Sequence, residues 1–247
     1  AVGLGKPFPT CQGYILSAHS EDGVRFQVDP GIRVAPDPEV PHRSRRCLAP
    51  TIATCAGGWR MYFESRGPAD VAAVIGSAVS ADLLVWEVEE GPRLALDHGV
   101  ASPSYVDLQD GRGRLYCAAA LGGRGKGVVS AVTENGVDFE LEAGFRVRDG
   151  LTAQENSGIT AADVIVPLQE GDDWTMLYSA WEDVPPGTQV PAHPSLSPGA
   201  EAGGVEFARA SIASDLAGYR SRIYTARSAD GLSWERVGCV IEGDGYG

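Results

Sequence analysis

The chain has 247 residues, 43% of them hydrophobic, and a formal net charge of −13. That length and apolar content support a sizeable core. The acidic balance argues against general nucleic-acid binding, which needs a basic footprint, and no stretch approaches a membrane span or a secretory core. The cysteine count of five is odd and lacks metal-ligand spacing. Cys47, Cys55, Cys117 and Cys239 fall in or beside expected strands, so they read as small buried thiols and point to a reducing compartment, the cytoplasm. His19, His42, His98 and His193 form no ligand pattern.

One phrase is written four times along the chain. It starts as Ser17-Ala18-His19-Ser20-Glu21-Asp22-Gly23 and returns as Ser77-Ala78-Val79-Ser80-Ala81-Asp82-Leu83. Its later copies are Ser130-Ala131-Val132-Thr133-Glu134-Asn135-Gly136 and Thr225-Ala226-Arg227-Ser228-Ala229-Asp230-Gly231. The alternating small and polar residues predict a half-buried strand, and Asp-Gly or Asn-Gly predicts a hairpin turn because both residue types tolerate positive φ. Leu83 stands where the other copies have Gly, so that turn is expected to differ in geometry. An aromatic residue then opens a return strand that ends in Gly31-Ile32-Arg33, Gly91-Pro92-Arg93, Gly144-Phe145-Arg146 or Gly238-Cys239-Val240.

A second phrase precedes the last three hairpins: Trp59-Arg60-Met61-Tyr62, Gly113-Arg114-Leu115-Tyr116 and Trp174-Thr175-Met176-Leu177. A short apolar strand lies before each. Four antiparallel strands recurring at this period describe the blade of a β-propeller. The expected fold is therefore all-β, a single propeller domain over 1–247. Its complete blades fall at about 46–96, 101–148 and 158–242, with a partial blade at 13–35. The ring as written does not close: either strands outside these residues complete it, which is the reading favoured here, or it closes by an arrangement that the repeats do not show.

Propeller geometry divides the candidate residues between two faces. The repeated Asp22, Asp82 and Asp230 sit beside turns on one face and are expected to bond backbone amides there. The opposite face collects the entries to the inner strands and the loops after each second strand. On it fall Arg43, Arg45, Arg46, Ser102, Tyr105, Glu155, Asn156, Thr160 and Asp163, then Glu64, Arg66, Arg124, Lys126, Trp181, Glu182 and Asp183. The insertion Val184 to Tyr219, rich in proline, reads as a lid over this face. Trp59, Trp86, Trp174 and Trp234 repeat at blade positions and are expected in the core; Trp181 escapes the repeat and is the better stacking platform.

The Ser-x-Asp-Gly-x-x-Trp-Glu hairpin, preceded by Gly57-Gly58-Trp59-Arg60-Met61-Tyr62-Phe63, resembles the five-bladed propeller glycoside hydrolases of the arabinanase, xylosidase and fructosidase type and their bacterial relatives. The resemblance covers nearly the whole chain and implies a hydrolase acting on a small carbohydrate through inner-strand carboxylates. Glycosidic cleavage needs two carboxyl groups across one bond. Ala49-Pro50 and Ser102-Pro103 line up with the family's inner-strand acids, leaving Asp163 as the acid retained and Glu155 as its expected partner. Substrate binding is expected from Arg45, Arg46, Glu64, Arg66, Ser102, Tyr105, Thr160, Trp181, Glu182 and Asp183. A channel Ca²⁺ comes by family analogy alone, and no acidic run demands one, so neither metal nor cofactor is expected. Two other readings stand beside this one. An enzyme of lyase, isomerase or cyclase type would bind an anionic ligand through the mouth arginines, and a propeller without catalysis would serve as a binding module.

Overall fold

The computed structural model describes residues 12–68, 70–122, 125–150, 152–155, 158–169, 171–182 and 220–242. The open blade has two strands, β1 (Ala18–His19) and β2 (Gln27–Val28). The second blade holds β3 (Arg46–Cys55), β4 (Gly58–Arg66) and β5 (Val74–Ser80), with an outer strand split into β6 (Glu87–Val88) and β7 (Leu94–Ala95). The third repeats this with β8 (Val100–Asp107), β9 (Gly113–Ala120), β10 (Lys126–Thr133), β11 (Glu140–Leu141) and β12 (Val147–Arg148). The fourth holds β13 (Gly158–Ile165), β14 (Trp174–Glu182), β15 (Arg220–Ser228) and β16 (Glu235–Glu242). Every sheet is antiparallel and runs from inner to outer strand in chain order. The strands of the three larger sheets thus span Arg46–Ala95, Val100–Arg148 and Gly158–Glu242. The insertion at 184–219 lies outside the described residues.

The hairpin phrase folds the same way each time. Asp22, Asp82, Asn135 and Asp230 each present Oδ1 to two backbone amides at 2.7–2.9 Å. The hydroxyls of Ser20, Ser80, Thr133 and Ser228 each take the amide three residues on, at 2.9 Å. These aspartates are scaffold, as expected of side chains that substitute for backbone acceptors in turns. The turn at Leu83 does not differ, contrary to expectation. Leu83 has φ 64°, beside 71°, 74° and 71° for Gly23, Gly136 and Gly231. The Ser80 and Asp82 acceptors hold it in the left-handed region at a cost of roughly 1–2 kcal/mol.

The core consists of three apolar clusters, each lying between adjacent blades. Ile15 and Val34 of the open blade pack on Cys47, Met61, Phe63 and Ala78. Tyr62 and Ile75 pack on Leu115, Val129 and Ala131, and Tyr116 and Val128 pack on Ile159, Val164 and Met176. Polar donors cross the same interfaces. The buried Tyr62 and Tyr116 hydroxyls donate to the carbonyls of Gly136 and Gly231, in the next blade's hairpin, at 2.8 and 2.7 Å. Burial pushes both phenols up to about 12, so they remain O–H donors at neutral pH. Arg33 and Arg146 reach the next hairpin at the carbonyls of Leu84 and Leu232. Behind each tyrosine lies a part-buried polar knot: Arg60 and Ser77 on Glu89, and Arg114 and Ser130 on Glu142.

Among the cysteines, Cys47 and Cys117 are buried, Cys55 is partly so, and Cys239 is exposed on β16. The four repeated tryptophans are half-buried at blade ends rather than fully enclosed.

Two consequences are measurable. Leu83→Gly removes the left-handed strain but gives the unfolded chain more freedom, so it should raise the unfolding free energy by roughly 0.5–1 kcal/mol in urea titration. Asp230 is held down to about 2, mainly by the Ser233 and Leu232 amides. Its stabilising contribution is therefore full above its ordinary 3.8 and fades as the pH falls through about 2. Asp230→Ala should melt lower than the parent at neutral pH, with the gap closing over that acidic range.

Candidate functional site

The inner strands β3, β8 and β13 line the propeller axis, and each carries an extra residue near the mouth. Ala49-Pro50 lie opposite Phe63, Ser102-Pro103 lie opposite Cys117, and Thr160 interrupts pairing between Ile159 and Ala161. Such a bulge re-aims side chains and bends the strand. Ala49 and Ser102 sit at φ 46° and 50°, the left-handed region that non-glycine residues rarely occupy. Ser102 is kept there from the neighbouring blade: Glu64 Oε2 accepts its amide at 3.0 Å. Arg66 binds the other Glu64 oxygen. The Glu64 carboxylate, 3% exposed, thus serves as an anchor for the mouth of β8.

Asp163 lies on β13 directly opposite Leu177, and Leu177 is level with Tyr62 and Tyr116 in the shared register of the second and third strands. Those tyrosines face Thr51 and Ser104. Asp163 therefore shares a row with Thr51 and Ser104, one step below the bulge residues with which the sequence aligned it. The row is hydrogen-bonded from blade to blade. Thr51 Oγ1 accepts the Tyr105 amide at 3.2 Å. Ser104 Oγ accepts the Val164 amide at 3.2 Å and donates to Asp163 Oδ1 at 3.0 Å. Asp163 is exposed while Ser104 is buried. The axis thus presents one oriented carboxylate from the middle of an inner strand. Asp107, the other inner-strand acid, is at the far end of β8.

Glu155 is not beside Asp163 in this arrangement. It closes a short 3-10 turn and is 1% exposed. Tyr178 donates to Oε1 at 3.0 Å, while Thr152 and Arg236 donate to Oε2 at 3.0 and 2.8 Å. Both oxygens are occupied by the fourth blade, and no face is left for a ligand. The sequence showed a carboxylate beside the mouth but not that the turn folds it inward.

Several expected ligand-binding residues are engaged elsewhere. Tyr105 stacks on Tyr62 between blades, with ring centroids 5.1 Å apart. Arg46 is buried, and Arg45 is half-buried with its amide on the Arg66 carbonyl. Arg43 pairs with Asp37 at 3.1 Å. Glu182 is bound to the buried Arg222 across β14 and β15. Thr160 and Trp181 are half-buried at the mouth end of the fourth blade. Asp183, Asn156 and Arg124 lie outside the described residues. Among the described residues, no group of three or more His, Cys, Asp or Glu is placed to hold a metal ion.

A cavity of about 710 Å³ opens on the hairpin face, between the second and third blades. Its walls include Trp59 and the joining residues Arg60, Tyr62, Tyr105 and Asn135.

No protein-family model matches the sequence, and no curated relative matches it. Solved structures do. A thermostable family-43 glycoside hydrolase aligns with a TM-score of 0.60 at 15% identity, over 90% of this chain and 64% of its own. The β-1,2-mannobiose phosphorylase of Listeria innocua aligns with a TM-score of 0.61 at 11% identity, over 92% and 54%. The fold is that of the glycoside hydrolase propellers. A glycoside hydrolase homologue from Parabacteroides distasonis aligns with a TM-score of 0.58 at 16% identity, over 96% of this chain and 68% of its own. The chain spans between half and about two-thirds of the length of these three propellers.

The placement of Glu155 makes a distinction that mutation can test. Glu155→Gln leaves the partly exposed Arg236 guanidinium without its carboxylate, and losing such a charged hydrogen bond costs about 1.5–3 kcal/mol. Urea unfolding should show a loss of that order. A normal unfolding curve would instead return Glu155 to consideration as a functional acid.

Proposed function

We propose that the axial channel binds a small carbohydrate and that Asp163 performs the proton transfer in breaking its glycosidic bond. The observation that carries this reading is the exposed Asp163 carboxylate, one oxygen of which is fixed by Ser104 of the adjacent inner strand. A general acid or base must be held within reach of the bond that it serves, and a preset oxygen reduces the ordering needed on binding. The glycoside hydrolase fold supports a sugar as the ligand class, as an analogy of fold. Glu64 and Arg66 support the mouth by holding the Ser102 bulge in place. Thr160 and Trp181 stand at the same rim.

Hydrolysis needs a second carboxyl group to activate water or to attack the sugar. Phosphorolysis needs only a proton donor, because inorganic phosphate is itself the nucleophile. Asp163 is the one acid in the middle of a described inner strand, an observation that keeps the phosphorolytic version beside the hydrolytic one. Binding of an anionic ligand by the mouth arginines has less support. Arg43 and Arg66 are paired with carboxylates, and Arg46 is buried.

The test is product analysis on aryl glycosides and disaccharides, with and without inorganic phosphate. Turnover in the parent should fall by about 10²–10⁴-fold in Asp163→Asn, which keeps a hydrogen-bond acceptor but loses the titrating group. Ser104→Ala should fall less. Unchanged turnover in Asp163→Asn, with an unchanged melting curve, would overturn the assignment. Sugar release only with phosphate selects phosphorolysis.

A further inference from the structure

The cavity between the second and third blades is shaped by residues that break the repeat. Three departures meet at its wall, all of them in the third blade. Gly113 lies opposite Thr133, whereas Trp59 and Trp174 lie opposite the equivalent Ser80 and Ser228. Tyr105 lies opposite Leu115, whereas Ile52 and Val164 lie opposite the equivalent Met61 and Met176. Asp107 lies opposite Gly113, whereas Thr54 lies opposite Trp59. The departures are coupled, because a Cβ on Gly113 would meet the hydroxyl and ring of Tyr105. The missing indole thus makes room for a phenol, and a carboxylate follows two residues on along the same face of the strand. Blade scaffold keeps the repeat. Coupled changes that shape one cavity point to a task other than holding blades together.

The chemistry of the wall favours one kind of guest. Trp59, Trp86 and Tyr105 supply aromatic surface, and Trp86 is fixed by its Nε1 donating to the Leu83 carbonyl at 3.0 Å. Burial, with Tyr62 and Asp107 beside it, pushes the Tyr105 phenol up, so it stays neutral. The wall also holds four carboxylates, Asp82, Glu87, Asp107 and Glu134, all exposed. Among the described residues, no ion pair reaches any of the four. The cation of the wall, Arg60, is already neutralised by Glu89 at 2.8 and 3.0 Å. Such a wall repels an anion and gives a neutral sugar no use of its charge. A cation gains from both the π-faces and the carboxylates. A methylated head suits the aromatic surface, because it needs no hydrogen bond there, and the exposed carboxylates supply charge without one.

We propose that this cavity binds a small quaternary ammonium ion, packed against Trp59, Trp86 and Tyr105 and balanced by Asp107 and Glu134. Its volume of about 710 Å³ is that of a small-molecule site. The proposal is independent of the chemistry at Asp163, which is not part of this wall.

The probes are choline and dimethylbutanol, its isostere with carbon in place of the quaternary nitrogen, titrated into the whole chain by calorimetry at low ionic strength. Choline should bind saturably, and the neutral isostere should bind about tenfold more weakly or worse, since it lacks the charge that the rings attract. Added salt should weaken choline and spare the isostere. The double variant Asp107→Asn, Glu134→Gln changes exposed positions alone, so its melting curve should match the parent. Its choline affinity should fall by about fivefold or more, with the isostere unaffected. The comparison of two ligands leaves the protein untouched, so a damaged variant cannot imitate it. Absence of saturable choline binding at millimolar concentration, or equal binding of the isostere, would overturn the proposal. Unchanged choline affinity in the double variant would overturn it as well.

Discussion

Among the described residues, the backbone contacts between adjacent blades are few, such as the bridge of Gly13 with Arg46 and the Val100 amide on the Ala73 carbonyl, so most of the joint between blades is made by side chains. Apolar packing supplies the contact area but does not by itself fix how one blade is turned against the next. That alignment comes from the buried donors. Tyr62 and Tyr116 place one hydroxyl each on a hairpin carbonyl of the following blade; Arg146 grips the carbonyl beside the one Tyr116 holds, and Arg33 grips Leu84 at the joint of the open blade. A buried donor left without its acceptor is costly, so sliding or twisting at the joint is resisted. The inner-strand row of Thr51, Ser104 and Asp163 depends on this alignment, because its bonds also cross from blade to blade.

The same constraint explains why the channel mouth can hold backbone in an unfavourable conformation. Ser102 is left-handed within a strand, and its amide is satisfied by Glu64 of the preceding blade rather than by its own sheet. Strain of about 1–3 kcal/mol persists only where the surroundings over-determine it. Here the surroundings are a buried carboxylate, its arginine partner and a blade interface that cannot shift. The bulges in turn decide which inner-strand side chains face the axis.

Much of this was legible in the sequence, and the failures share a cause. The hairpins were readable because Ser, Asp and Gly each act locally, within three residues of their partners. The blade limits followed from that repeat. The Leu83 turn was misread because local propensity was outweighed by two side-chain acceptors that impose the turn on any residue. The sequence puts Asp163 on an inner strand but not in the row of Thr51 and Ser104, because a one-residue bulge shifts register in a way that residue types do not announce. Glu155 and Tyr105 have suitable chemistry, but Glu155 lies in the turn before β13 and Tyr105 lines the cavity on the hairpin face. Their direction depends on Tyr178, Arg236 and Tyr62, partners that lie 23 to 81 positions away in the chain for Glu155 and in another blade for Tyr105.

The donors at each joint reach for main-chain oxygen, and every residue type has one. Leu83-Leu84, Gly136-Val137 and Gly231-Leu232 therefore present the same receiving surface with different side chains. One half of the joint reads sequence and the other half reads only backbone shape. A blade built this way can be duplicated beside itself and the copies can diverge at their hairpins without losing their grip. The receiving hairpins are thus free to vary, while the tyrosines and arginines that grip them are not. The asymmetry offers a physical route by which a ring of blades could grow from a single ancestral unit.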